Sequence, residues 1–166
     1  MGDTQDTTAA IMEATYKALC EHGYPETTIS KIAQEFEKSQ SLLYYHYEDK
    51  EELLEDFFEY LLDQLQSELV DIEASDPHDE LVTIIEKLLP QDIDTEQMRF
   101  RRALLEIRSQ APYNKAFRER FRRSDEMIRS KLIETIERGI EDGVFRPVNS
   151  REVADFVYSA TLGATD

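Results

Sequence analysis

Cysteine is nearly absent: Cys20 is the only one in 166 residues. That excludes an internal disulfide and a cysteine-rich zinc site. Near the end of a predicted helix, Cys20 reads as a small buried hydrophobe. Glycine and proline are scarce, five of each, and fall mostly between periodic segments. With 40% apolar residues the chain is expected to fold around a real core rather than stay disordered. No apolar run approaches the roughly 20 residues that cross a bilayer, so no membrane partner is expected. The stretch Met1–Thr8 is polar and lacks the basic and apolar regions of a secretion signal. A cytoplasmic location is the expectation. Three histidines, His22, His46 and His78, form no metal-spaced cluster, and there is no phosphate-cradling glycine loop. The expectation is therefore no metal, no cofactor and no catalysis.

Positive charge is the other shortage. Asp and Glu total 36 against 19 Lys and Arg, a net charge of −17. Nucleic-acid binders are usually basic, because neutralising phosphates supplies much of their affinity. The distribution qualifies that objection. Residues 51–98 carry sixteen acids and one lysine, whereas residues 99–166 carry eleven acids and fourteen bases, including all twelve arginines. From Lys38 to Tyr47 there is no carboxylate at all. At high ionic strength the screening length falls to a few ångströms, so remote carboxylates repel a phosphate backbone weakly. A dense acidic surface with few lysines resembles proteins of halophilic microbes; an ordinary solvated acidic surface is the alternative.

Period-two alternation is missing over any useful length, and helical spacing is present throughout. The fold class is expected to be all-α. A first helix over about residues 8–22 presents Ile11, Ala14, Ala18 and Leu19 on one face, with Thr7 or Thr8 as cap and Gly23 as terminator. A second, starting at Thr27 or Thr28, presents Ile29, Ile32, Ala33 and Phe36 at i, i+3, i+4 and i+7. After a tight turn at Glu37-Lys38, Ser39 caps a third short helix in which Leu43 and Tyr47 face inward. Asp49 and Glu52 form a capping box for a fourth helix. Its stripe, Leu53, Leu54, Phe57, Phe58, Leu61, Leu62, Leu65 and Leu69, is broad enough to touch an N-terminal domain and a body. Residues 71–79 read as a linker. Helices over about 79–89, 95–109, 113–142 and from Asn149 or Ser150 onward complete the chain.

Two short helices joined by a tight turn behind a longer one make a candidate helix-turn-helix. Its second helix must be short, rigidly held and able to enter the major groove. The residues reinforce this. Thr27-Thr28-Ile29-Ser30-Lys31-Ile32-Ala33, then Ser39-Gln40-Ser41-Leu42-Leu43-Tyr44-Tyr45-His46-Tyr47, then Asp49-Lys50-Glu51-Glu52-Leu53 resemble the tetracycline-repressor (TetR) family. The resemblance covers residues 8–54. It departs in the turn, where the family usually has Ala-Gly-Val-Ser and this chain has Phe36-Glu37-Lys38-Ser39.

The resemblance implies a DNA-binding domain over residues 1–48 and a helical ligand-binding and dimerisation domain over 49–166. It also implies one more interface helix than this sequence supplies after Asp166. Thr27 and Thr28 match positions that touch or approach phosphate, and Lys50 matches a lysine that grips one. Gln40 matches a base-reading position, and glutamine can pair bidentately with adenine. Ser41 and Leu42 match groove-facing neighbours. Tyr44 and His46 match backbone contacts, and Tyr45 a variable outward position. Lys38 replaces a small apolar anchor, its amine within reach of phosphate. The functional expectation is a ligand-responsive regulator, a repressor by family default, that binds a palindromic operator in double-stranded DNA as a homodimer. Its small-molecule effector is of unknown class, in a cavity drawn from Phe57, Leu61, Leu65, Ile85, Met98, Leu104, Tyr113, Phe117 and Phe121. Taken singly, each of these reads first as plain core and second as a ligand contact. Arg101, Arg102 and Arg108 read either as anion contacts or as salt-bridged surface. The competing reading is a TetR-like protein-interaction module that has lost specific DNA binding.

Overall fold

Helical periodicity becomes helices in the computed structural model, which describes residues 2–36, 40–72, 76–89 and 96–163, with side chains from Thr7 onward. Eight helices and no strand are present among the described residues: α1 (Gly2–Glu26), α2 (Ile29–Glu35), α3 (Gln40–His46), α4 (Lys50–Val70), α5 (Pro77–Leu88), α6 (Glu96–Gln110), α7 (Lys115–Glu141) and α8 (Ser150–Gly163). None is long and apolar enough to cross a membrane. The turn at Glu37-Lys38 and the Ser39 cap lie outside the described residues.

The chain divides into two compact units. One is Met1–Leu61 with Asp94–Arg120; the other is Leu62–Ile93 with Phe121–Asp166. In the first, α1 packs on α2 and α6, and α2 packs on α3. Ile11, Ala14, Ala18 and Leu19 of α1 are at most 2% exposed, as their spacing predicts. Helix α1 starts earlier than expected, at Gly2, because no proline or other breaker precedes Thr8 to stop it. It is broken at Gly23, whose φ of 70° lies in the left-handed region that glycine enters without a steric penalty. Rings stack through this unit: Tyr16 on Phe100, with centroids 4.6 Å apart, and Phe57 edge-on to Phe100 at 6.0 Å. Phe58 meets Phe117 edge-on at 5.2 Å. Cys20 is buried beside Tyr16, and burial pushes its thiol up to about 11, so it stays protonated and unreactive at neutral pH.

In the second unit, Ile72, Ile84, Ile128, Leu132, Ile136, Ala154 and Tyr158 form the core. Pro77, assigned to a linker on sequence, instead occupies the first turn of α5, where its missing N–H costs nothing. Asp76 caps that helix by accepting from His78 N at 3.1 Å. Helix α7 begins at Lys115 because Asn114 Oδ1 accepts from the amides of Ala116 and Phe117. It ends in a Schellman motif. Gly143, at φ 72°, donates to Ile140 O, and Val144 N donates to Gly139 O at 2.8 Å.

Gly139 has a separate constraint. A Cβ there would collide with the ring of Phe145, whose own amide also binds Gly139 O. We predict that Gly139→Ala destabilises the fold by up to about 2 kcal/mol, the difference between an overpacking cost of about 1–3 and the roughly 1 kcal/mol gained in helix propensity. Urea titration checks this. Adding Phe145→Ala should recover stability relative to the single variant; a further loss would place the cost elsewhere.

Candidate nucleic-acid interface

Thr28 caps α2, its hydroxyl accepting from Lys31 N at 3.2 Å. Ile32 and Ala33 are buried, which presses α2 onto its neighbours and fixes its orientation. In α3, Leu43 is fully buried and Tyr47, just past the helix, is 7% exposed. The Tyr47 hydroxyl donates to Asp56 Oδ2 on α4 at 3.0 Å, which ties the end of α3 to α4. Burial, then the Asp56 carboxylate, raise the Tyr47 phenol well above its ordinary value, so it remains a donor. These anchors leave the opposite side of α3 outward. Gln40, Ser41 and His46 are exposed and Leu42 is half-buried. Tyr44 and Tyr45 are 54% and 84% exposed, with the Tyr45 ring edge-on to His46. At about 1.5 Å per residue, a seven-residue helix is about 10 Å long, a size that a major groove about 12 Å wide accepts.

The head of α4 is a cap as expected, with one shift. Asp49 Oδ1 accepts from Glu52 N at 2.8 Å, but Glu52 returns to Glu48 N rather than to its capping partner. Lys50 sits beside it, Nζ 3.1 Å from Tyr24 O and 4.2 Å from the centroid of the Tyr24 ring. The carboxylates nearest in sequence, Glu48, Asp49, Glu51 and Glu52, are all exposed at this end, whereas α3 itself carries none.

One predicted contact falls elsewhere. The Thr27 side chain is fully buried, its hydroxyl donating to Gly23 O at 2.6 Å and placed 3.3 Å from Ala18 O. It locks the break after α1, so it presents nothing to phosphate. Lys38 lies outside the described residues. The other eight, Thr28, Gln40, Ser41, Leu42, Tyr44, Tyr45, His46 and Lys50, are exposed or half-buried on α2, α3 and the head of α4.

The predicted effector residues split between the units. Phe57, Met98 and Phe117 are buried, and Leu61 and Leu104 half-buried, in the first. Leu65, Ile85 and Phe121 are half-buried in the second. Tyr113 is a correction: it stands 89% exposed in the turn after α6 and lines no interior of its unit. Tyr16 and Phe100 join the aromatic cluster without having been singled out, and Phe58 joins it from the apolar stripe of α4. Phe100 lies three and seven residues before buried Ala103 and Ile107, a helical spacing that would have revealed it. Arg101 is half-buried, and desolvation lowers its guanidinium from the ordinary value. Among the described residues, Asp76, His78 and Asp79 bring three possible metal donors together, but Asp76 caps α5 and His78 pairs with Asp79 at 3.1 Å.

The family profile described as bacterial regulatory proteins, tetR family, matches residues 11–57. A second, described as BetI-type transcriptional repressor, C-terminal, matches residues 77–165, more than half of the chain. A TetR transcription regulator from Haloarcula marismortui is 41% identical, with 97% of this chain and 85% of that one aligned at a TM-score of 0.87. The chain belongs to the TetR family of transcriptional regulators. Helices α2 and α3 are its helix-turn-helix, and DNA binding is the activity of that domain. More distant TetR-like folds include a transcriptional regulator from Saccharomonospora viridis in complex with choline (21% identity, 96% and 83% coverage, TM-score 0.78). Another is FadR from Bacillus subtilis in complex with stearoyl-CoA (21% identity, 95% and 84% coverage, TM-score 0.69). No curated protein matches the chain.

Proposed function

We propose that this TetR regulator is a ligand-responsive repressor that binds a palindromic operator as a homodimer, with α3 as the reading helix. The observation that carries the reading is the outward side of α3. In a chain of net charge −17, the stretch from Lys38 to Tyr47 has no carboxylate, and Tyr44 and Tyr45 are 54% and 84% exposed. Gln40 and Ser41 read base edges, Leu42 meets a thymine methyl, and Thr28, Tyr44, His46 and Lys50 hold the phosphate backbone. Tyr45 approaches phosphate or a base. One helix-turn-helix has a small footprint, so two copies related by a twofold axis read half-sites about 34–36 Å apart or farther. Helix α8 supplies apolar surface for that dimer: Phe156 is 73% exposed, with Val153 and Val157 half-buried on the same helix.

Effector binding shifts the dimer between two spacings of its reading helices. Helix α4 is the natural lever, because it supplies residues through Leu61 to one unit and from Leu62 to the other. The coupling is reciprocal: effector weakens DNA binding and DNA weakens effector binding by the same factor. Equal effector affinity for free and DNA-bound protein would refute it. Choline and stearoyl-CoA, bound by two neighbours, differ in charge and size, so the fold alone does not select the effector. The net charge of −17 supports work at high salt, where screening shortens to about 3 Å at 1 M.

Selection from a sheared genomic DNA pool, followed by footprinting, tests the reading. The expected result is a small set of fragments protected over a twofold-symmetric site. Failure to enrich any fragment at any salt would favour the protein-interaction module, which the net charge and the altered turn Glu37-Lys38 otherwise support.

A further inference from the structure

The segment just after Gly23 joins α6 to the head of α4 through one residue, Tyr24. Tyr24 N–H donates to Glu106 Oε2 on α6 at 2.8 Å, while Tyr24 O accepts from Lys50 Nζ at 3.1 Å. The Lys50 ammonium lies over the Tyr24 ring, 4.2 Å from its centroid. Gly23 leaves room for this: a Cβ there would stand 3.1 Å from Glu106 Oε2, in a backbone conformation that side chains rarely adopt. The same segment is pinned from behind by Thr27, whose amide and hydroxyl both reach Gly23 O. All of these residues belong to one compact unit. A lysine ammonium has three donors, and one is held by Tyr24 O, so the bond aims the remaining two.

We propose that Glu106 is a positioning residue for DNA binding: its carboxylate holds the Tyr24 amide, and the Tyr24 carbonyl, on the next peptide, orients Lys50 for its phosphate. Glu106 touches no DNA. The link also gives α6 a direct route to the DNA surface, since displacement of Glu106 removes the bond that holds the Tyr24 amide and leaves the Tyr24 carbonyl held from Thr27 N alone. The inference rests on reading Lys50 as a phosphate contact.

The sign of the effect is diagnostic. A carboxylate acting only through its charge repels DNA, so its removal would tighten binding. A positioning carboxylate behaves oppositely. The test uses the full chain, the selected operator fragment as a labelled duplex, and a salt series. Glu106→Ala should weaken binding about five- to tenfold for the dimer and lower the salt slope, as a mispositioned phosphate contact does. Glu106→Gln, which still accepts from Tyr24 N–H, should bind as the wild type or tighter. In a Lys50→Met background, Glu106→Ala should cause no further loss of affinity. Equal tightening by Glu106→Ala and Glu106→Gln would overturn the inference, and so would an undiminished loss in the Lys50→Met background. If Lys50→Met itself leaves affinity and salt slope unchanged, the reading of Lys50 fails instead, and the inference falls with it. Thermal melts of both Glu106 variants confirm an intact fold.

Discussion

Glu80→Ala should destabilise the fold by about 3–5 kcal/mol, the usual cost of removing one partner from a buried ion cluster. Glu80 is 2% exposed, on the buried side of α5. Its carboxylate is met from α7 by three side chains four and three residues apart, hence on one helical face. Lys131 Nζ is 2.9 Å away, Thr135 Oγ1 donates at 2.8 Å, and Arg138 completes the set. Without the carboxylate, the Lys131 side chain, 18% exposed, and the buried Thr135 hydroxyl keep their desolvation cost and lose their acceptor. Salt should rescue little, because buried pairs are screened far less than surface ones. Burial works to raise the Glu80 pKa, but the hydrogen bonds from Arg138, Lys131 and Thr135 prevail and lower it below the ordinary 4.5. The sign follows. A depressed carboxylate pKa contributes stability that is present above pH 4.5 and lost as pH falls through the folded value. Urea titrations should therefore show a gap between wild type and Glu80→Gln that is full at neutral pH and closes below pH 4.5. A gap independent of pH would mean that shape, not charge, makes the difference.

Gln40→Ala should cost operator affinity without costing stability. Gln40 is exposed at the start of α3 and supports nothing in the core. A bidentate base contact is worth about 1–3 kcal/mol of discrimination, and a dimer makes it twice, so the loss on a symmetric site is about 2–6 kcal/mol. Binding to unrelated DNA should change little. Lys50→Met should do the reverse, weakening all sequences alike and reducing the salt slope by about 1 per site. Competition between operator and random duplex separates the two effects. Equal losses on both duplexes for Gln40→Ala would remove it from the base-reading set.

Much of this was legible because the signals are local. The spacing of Ile29, Ile32, Ala33 and Phe36 placed α2, and Asn149 caps α8 as its sequence indicates, accepting from Arg151 N and Glu152 N. Leu43 and Tyr47, four apart, face inward and turn Gln40, Tyr44 and Tyr45 outward. What stayed hidden depends on partners distant in sequence or on a backbone break. Thr27 turns inward because Gly23 exposes its carbonyl, and no pattern of side-chain types announces that bond. Pro77 signals both an interruption and a helix start; Asp76 before it settles the matter only once its bond to His78 N is seen. Glu80 looks like one more surface acid, because its partners lie 51 or more residues away on α7. Tyr113 carries the size of a cavity residue but sits in the turn that Asn114 creates by capping α7 late.

The decisive measurement is fluorescence anisotropy of the wild-type protein on the selected fragment, from moderate to molar salt, with stoichiometry read at saturation. Two chains per duplex, binding that persists at molar salt, and clear preference over random DNA are the expected results. Saturation at one chain per duplex, or equal affinity for random DNA across the whole salt range, would contradict a dimer that reads sequence through α3.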